Sequence, residues 1–201
     1  MDWPFKILES LPEDLDYELQ EIYKRCKTFI LPFEHHSSNG SMICEQIWCE
    51  TAEDQQWIHD NILTFYKIDI SRVGELDYEQ KESSSRSQSF HKGFCVPHQW
   101  SKNSINFTVF RANHGRSKLH HDAAPNMPCK LNIPVINCEA GILYYPKYQR
   151  GHNYKNKQPC LMNTTIEHDV LGLEYLSSDR VFLSIGLTDQ DNIDKNKILE
   201  V

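Results

Sequence analysis

Between Pro12 and Lys27, apolar residues fall at Leu15, Leu19, Ile22, Tyr23 and Cys26. Steps of three and four place them along one stripe of a helix, so the segment predicts an amphipathic helix. Pro12 suits its first turn, and Glu13 and Asp14 suit the positive end of its dipole. A second helix is predicted from about Thr51, where Thr51 and Asp54 have the spacing of a capping box. Ile58, Ile62 and Phe65 mark its apolar face.

Residues 81–89 read Lys-Glu-Ser-Ser-Ser-Arg-Ser-Gln-Ser and carry no apolar period. They predict a loop, either a solvated connection or a lid over a site. Beyond residue 105 the texture changes. Short runs rich in β-branched and aromatic residues occupy 106–112, 118–122, 130–138, 141–147, 159–166, 168–174 and 180–188, with Gly, Pro, Asn and Ser between them. Short strands in close succession predict a sandwich or barrel. Two helices followed by a run of strands fit a mainly β chain: a jelly roll over 105–188, with helical and mixed support from 1–100 packed on one sheet. No repeat or second domain is visible, so one domain over 1–201 is expected.

The chain has 201 residues, enough for a core without disulfides. Its formal net charge of −7 argues against a nucleic-acid or anionic-membrane surface. The apolar runs are too short to span a bilayer, and Met1-Asp2-Trp3-Pro4-Phe5 lacks the layout of a signal peptide. A cytoplasmic location is therefore expected. The seven cysteines are odd in number and form no CxxC, which points to reduced thiols rather than a disulfide framework or zinc knuckle.

Candidate chemistry begins at Leu119-His120-His121-Asp122. In a strand, residues i and i+2 point to one side, so His120 and Asp122 converge while His121 faces away. Two imidazoles and one carboxylate make a facial triad for iron(II), leaving positions open for further ligands. A His-x-Asp is weak alone; the third ligand must come from a later strand, and His168 lies between two strand-like runs. Twelve residues on, Arg180 heads the run 180–188. There Val181, Leu183, Ile185 and Leu187 share one face, and Arg180, Phe182, Ser184 and Gly186 the other. An arginine heading an apolar strand needs an anionic partner, and a dicarboxylate gives it a bidentate one. Taken singly, His168 reads as a packed histidine and Arg180 as half of a surface ion pair; their order and spacing favour a site. Lys130 and Asn132 share a face, either lining the pocket or facing solvent. Only one of Tyr144 and Tyr145 can face inward, and core packing is expected for it. His91, His98 and His114 are assigned no role.

These residues, with Lys130-Leu131-Asn132-Ile133-Pro134-Val135-Ile136-Asn137-Cys138-Glu139 and 159–187, resemble the 2-oxoglutarate/iron(II)-dependent dioxygenases. Within them, the wording is most similar to the aspartyl/asparaginyl β-hydroxylase-like group. The resemblance covers somewhat less than half of the chain. It implies a double-stranded β-helix, iron(II) on His120, Asp122 and His168, and 2-oxoglutarate held by Arg180 with Ser184 and Asn132. It implies use of dioxygen to hydroxylate a small-molecule or peptide substrate. The animal β-hydroxylases of that group lack the metal carboxylate, whereas Asp122 is present here. That favours a full triad, disfavours halogenation, and argues against carrying over their peptide substrate. The rival classes are a non-catalytic metal-binding jelly roll of structural or interaction role and a cupin-like metalloenzyme without the oxo-acid. Neither requires a cation at the place of Arg180. A nucleic-acid demethylase would share the chemistry but not the acidic charge.

Overall fold

The strand Arg180–Leu187 is buried at all eight positions, which requires cover on both faces. Val181, Leu183, Ile185 and Leu187 join one apolar cluster and Phe182 joins another, following the two-residue repeat. The structure, a computed structural model, describes residues 3–27, 44–47, 49, 51–74, 104–112, 119–122 and 127–200. The 81–89 stretch and His91, His98 and His114 lie outside the described residues.

In chain order the strands are β1 (Phe5–Leu8), β2 (Cys44–Ile47), β3 (Ile105–Phe110), β4 (Cys129–Ile136), β5 (Ile142–Tyr145), β6 (Arg150–His152), β7 (Cys160–Asn163), β8 (Asp169–Leu171), β9 (Arg180–Leu187) and β10 (Ile198–Glu200). Seven form an antiparallel sheet in the order β10-β1-β7-β4-β9-β3-β2, and three form a second, β6-β5-β8. Among the described residues two α-helices accompany them, α1 (Glu13–Lys27) and α2 (Ala52–Trp57). The described protein is thus mainly β. Among the described residues, no helix is long and apolar enough to cross a membrane, and no disulfide joins the cysteines.

The helices cover one face of the large sheet. Leu19, Ile22, Tyr23 and Cys26 of α1 pack into the same cluster as Leu131, Ile133, Leu183 and Ile185. Thr51 caps α2 by accepting the Asp54 amide at 3.1 Å. Beyond α2 the chain continues as π-helical turns over Ile58–Leu63, where Ile58, Ile62 and Leu63 are buried. Asn61 Nδ2 donates to the Trp57 carbonyl at 2.9 Å, competing for the acceptor an α-helical turn would give to the Asn61 amide. The small sheet covers the other face, where Leu143, Tyr145 and Val170 meet Phe5, Met162 and Phe182.

Other sequence expectations change as well. β1 and β2 belong to the large sheet, so the first 100 residues supply strands as well as helical support. β1 escapes a period-two search because it is only four residues long and its buried ends, Phe5 and Leu8, enter opposite clusters. The expected strand at 118–122 is an isolated bridge, His120 to His168; Lys118 lies outside the described residues. The run 130–138 ends as a strand at Ile136, and its register with β9 slips between Pro134 and Ile136. Pro134 has no amide to give to a central ladder, which accounts for a bulge there.

Candidate metal centre and a buried arginine

The chain leaves β7 through Asn163-Thr164-Thr165. Asn163 Oδ1 accepts both the Thr165 amide (3.1 Å) and the Thr165 hydroxyl (2.7 Å), an Asx-type turn. The turn sends residues 164–168 back alongside 120–122. The Asp122 amide donates to the Thr164 carbonyl at 3.1 Å, and His120 and His168 bond each other through both backbone groups. His120, Asp122 and His168 thereby offer ligand atoms all within 4.8 Å of one another. His121 is exposed and is not part of this cluster.

The donor set fits a divalent ion that takes imidazole and carboxylate. His168 is buried, and its Nδ1 donates to the Ile166 carbonyl at 2.9 Å, which leaves Nε2 as the lone-pair nitrogen. Burial pushes the His168 imidazolium down, against the opposing pull of the Asp122 charge. A neutral imidazole is the ligating form. Asp122 is half-buried. Burial raises its carboxyl, but Lys130 and the two histidines outweigh that and hold it below the ordinary carboxylate range. Lys130 Nζ donates to Asp122 Oδ2 at 2.8 Å, while Oδ1 lies 3.8 Å from His120 Nε2.

Parity on β4 turns both Lys130 and Asn132 inward. Asn132 Oδ1 accepts the Ser184 hydroxyl at 2.8 Å, and Thr108 Oγ1 lies 2.9 Å from Ser184 Oγ. Asn132 Nδ2 donates to Met162 Sδ at 3.2 Å. Of the tyrosine pair, Tyr145 is fully buried; its hydroxyl donates to the Asn163 carbonyl at 3.0 Å, and its ring lies 5.4 Å from that of His168.

Arg180 is 1% exposed. Its guanidinium lies over the rings of Phe182 (4.6 Å), Tyr154 (5.3 Å) and Phe110 (5.7 Å). Its Nη2 makes one long contact, 3.5 Å, to the Gly141 carbonyl, and its Nε has no partner among the described residues. Burial lowers its pKa, and among the described residues no carboxylate opposes the shift. Burying a guanidinium without an acid is costly.

All six sequence-predicted residues therefore face the region between the two sheets: His120, Asp122 and His168 as a cluster, Ser184 and Asn132 as a bonded pair, and Arg180 further along β9. Tyr154 and the Gly141 carbonyl, which line Arg180, had no signal in the sequence. The Lys130–Asp122 contact had a partial one, the shared parity of Lys130 and Asn132. In comparisons with known proteins, no family model and no curated sequence matches the chain.

Proposed function

We propose that the chain is an iron(II)- and 2-oxoglutarate-dependent oxygenase that hydroxylates an amino acid, a peptide side chain or another small metabolite. The two sheets are read as the halves of a double-stranded β-helix (jelly roll) enclosing the site, and the protein as cytoplasmic. No membrane or nucleic-acid partner is proposed. The observation that carries the reading is Arg180, a buried guanidinium with an open Nε and no acid beside it among the described residues. A metal-only jelly roll has no use for it; a dicarboxylate co-substrate completes it with a bidentate pair.

Bound iron(II) would supply the activation of dioxygen, coupled to decarboxylation of the oxo-acid. His120, Asp122 and His168 are the residues that would hold it. Arg180 fixes the far carboxylate, with Ser184 and Asn132 as polar contacts along the same face. Phe110, Phe182 and Tyr154 keep water from the guanidinium, which strengthens that charge pair.

The test is succinate formation from 2-oxoglutarate by purified protein with iron(II) and ascorbate, without added substrate. Slow turnover that is lost in His120→Ala and weakened in Arg180→Ala supports the reading. No turnover, together with no calorimetric binding of 2-oxoglutarate to metal-loaded protein, replaces it with the non-catalytic metal-binding jelly roll.

A further inference from the structure

The oxygenase reading leaves the ammonium of Lys130 without a role. Lys130 stands on β4 opposite Gly186 of β9 and Met162 of β7, with its side chain on the face of Asn132. Neither register partner carries a charge. Its Nζ lies 2.8 Å from Asp122 Oδ2, whereas the other oxygen, Oδ1, is the one 3.8 Å from His120 Nε2. We infer that Lys130 is a positioning residue that holds Asp122 to a single metal-ligating oxygen and so keeps a further coordination position open. The inference rests on the metal site proposed above and is independent of the co-substrate.

Lys130 acts on the ion in two ways of opposite sign. A carboxylate can chelate an ion through both oxygens, but Oδ2 is already the acceptor of a charge-assisted hydrogen bond. An ammonium has three donors and no acceptor, so it cannot itself ligate the ion, and its charge repels one nearby. Lys130 therefore weakens metal binding while preserving open positions. A lysine that merely propped up the fold would do the reverse: its removal would loosen the triad and weaken the metal.

Manganese(II) alone is the probe, with its affinity read by electron paramagnetic resonance and its bound water by proton relaxivity. Wild type, His120→Ala, Lys130→Met and Lys130→Arg are compared, with folding followed by thermal melts. In Lys130→Met, Asp122 chelates: affinity is expected to tighten by about tenfold, opposite in sign to the loss usual when a group that supports a ligand is removed. Water on the ion falls from about three to about two, lowering the relaxivity of the bound ion by about a third. Lys130→Arg, which keeps charge and donors, restores both values. Lys130→Ala is read in the same way should the methionine variant not fold. Unchanged relaxivity or weakened affinity in the methionine variant overturns the role of Lys130 and leaves the metal site standing. Wild-type binding that His120→Ala does not abolish overturns the metal site itself.

Discussion

His120 and His168 exchange two backbone hydrogen bonds, the His120 amide donating to the His168 carbonyl at 2.9 Å and the His168 amide to the His120 carbonyl at 2.7 Å. Their rings are 4.5 Å apart. Two of the three candidate ligands are thus placed by the backbone, and little ordering is left for an ion to impose. Replacing either histidine by alanine is expected to abolish stoichiometric cobalt(II) binding in calorimetry. The two variants should differ in stability. His168 is 2% exposed, so His168→Ala is expected to cost about 1–3 kcal/mol, whereas half-buried His120 should cost within about 0.5 kcal/mol. Equal cobalt affinity in wild type and His168→Ala would remove the metal site from consideration.

Arg180 should separate stability from binding. A buried charge without an acid costs free energy, and an apolar side chain of similar length among Phe110, Tyr154 and Phe182 does not. Arg180→Met is therefore expected to match wild type or exceed it by about 1–2 kcal/mol in urea melts. The same variant should lose calorimetric binding of 2-oxoglutarate while keeping cobalt(II). A variant destabilised by several kcal/mol would mean that the guanidinium is a structural strut.

Alternation on β9 could be read directly from Val181, Leu183, Ile185 and Leu187, because a central strand covered on both faces has a regular period and a buried cation at its head. The stripe of α1 and the Thr51 cap were legible for the same reason: both are local. Asp122 is placed by a long-range backbone contact and not by strand parity. Only His120 makes a bridge, 120–122 is not a strand, and the Asp122 amide is pinned by the Thr164 carbonyl, a contact 42 residues away that no local pattern encodes. Lys130 could be placed on a face but not on a partner, since parity gives direction without distance. Tyr154 sits beside short turns between β6 and β7, where no period exists to mark it as buried.

His152 gives the fold a pH dependence of its own. It is buried between Tyr154 and Phe5, with ring centroids at 4.5 and 5.8 Å. Burial pushes its pKa down from 6.5, and the Gln158 carbonyl only partly opposes this. In the unfolded chain the residue protonates at its ordinary value. Below about pH 6.5 the unfolded state thus binds more protons than the folded one, and stability falls as pH falls. His168 shifts the same way, so the comparison must isolate His152. In urea melts at pH 7.5 and 5.5, wild type is expected to lose more stability than His152→Phe. Equal losses would show that His152 stays neutral in neither state or both.

Gly141 sets the room available to Arg180. A Cβ there would lie 3.0 Å from Arg180 Nη1, 3.2 Å from Cζ and 3.3 Å from the Leu171 carbonyl. The guanidinium is closed in by three rings, so it cannot retreat without losing their contact. Gly141→Ala is expected to displace it at a cost of about 1–2 kcal/mol in stability, the usual range for mild overpacking. The metal ligands are on other segments, so cobalt(II) affinity should be unchanged. Affinity for 2-oxoglutarate should fall by about tenfold, because a bidentate carboxylate pair depends on the plane of the guanidinium. Calorimetry of the cobalt-loaded variant separates the two effects. If 2-oxoglutarate binds the alanine variant as tightly as wild type, its far carboxylate is held somewhere other than Arg180.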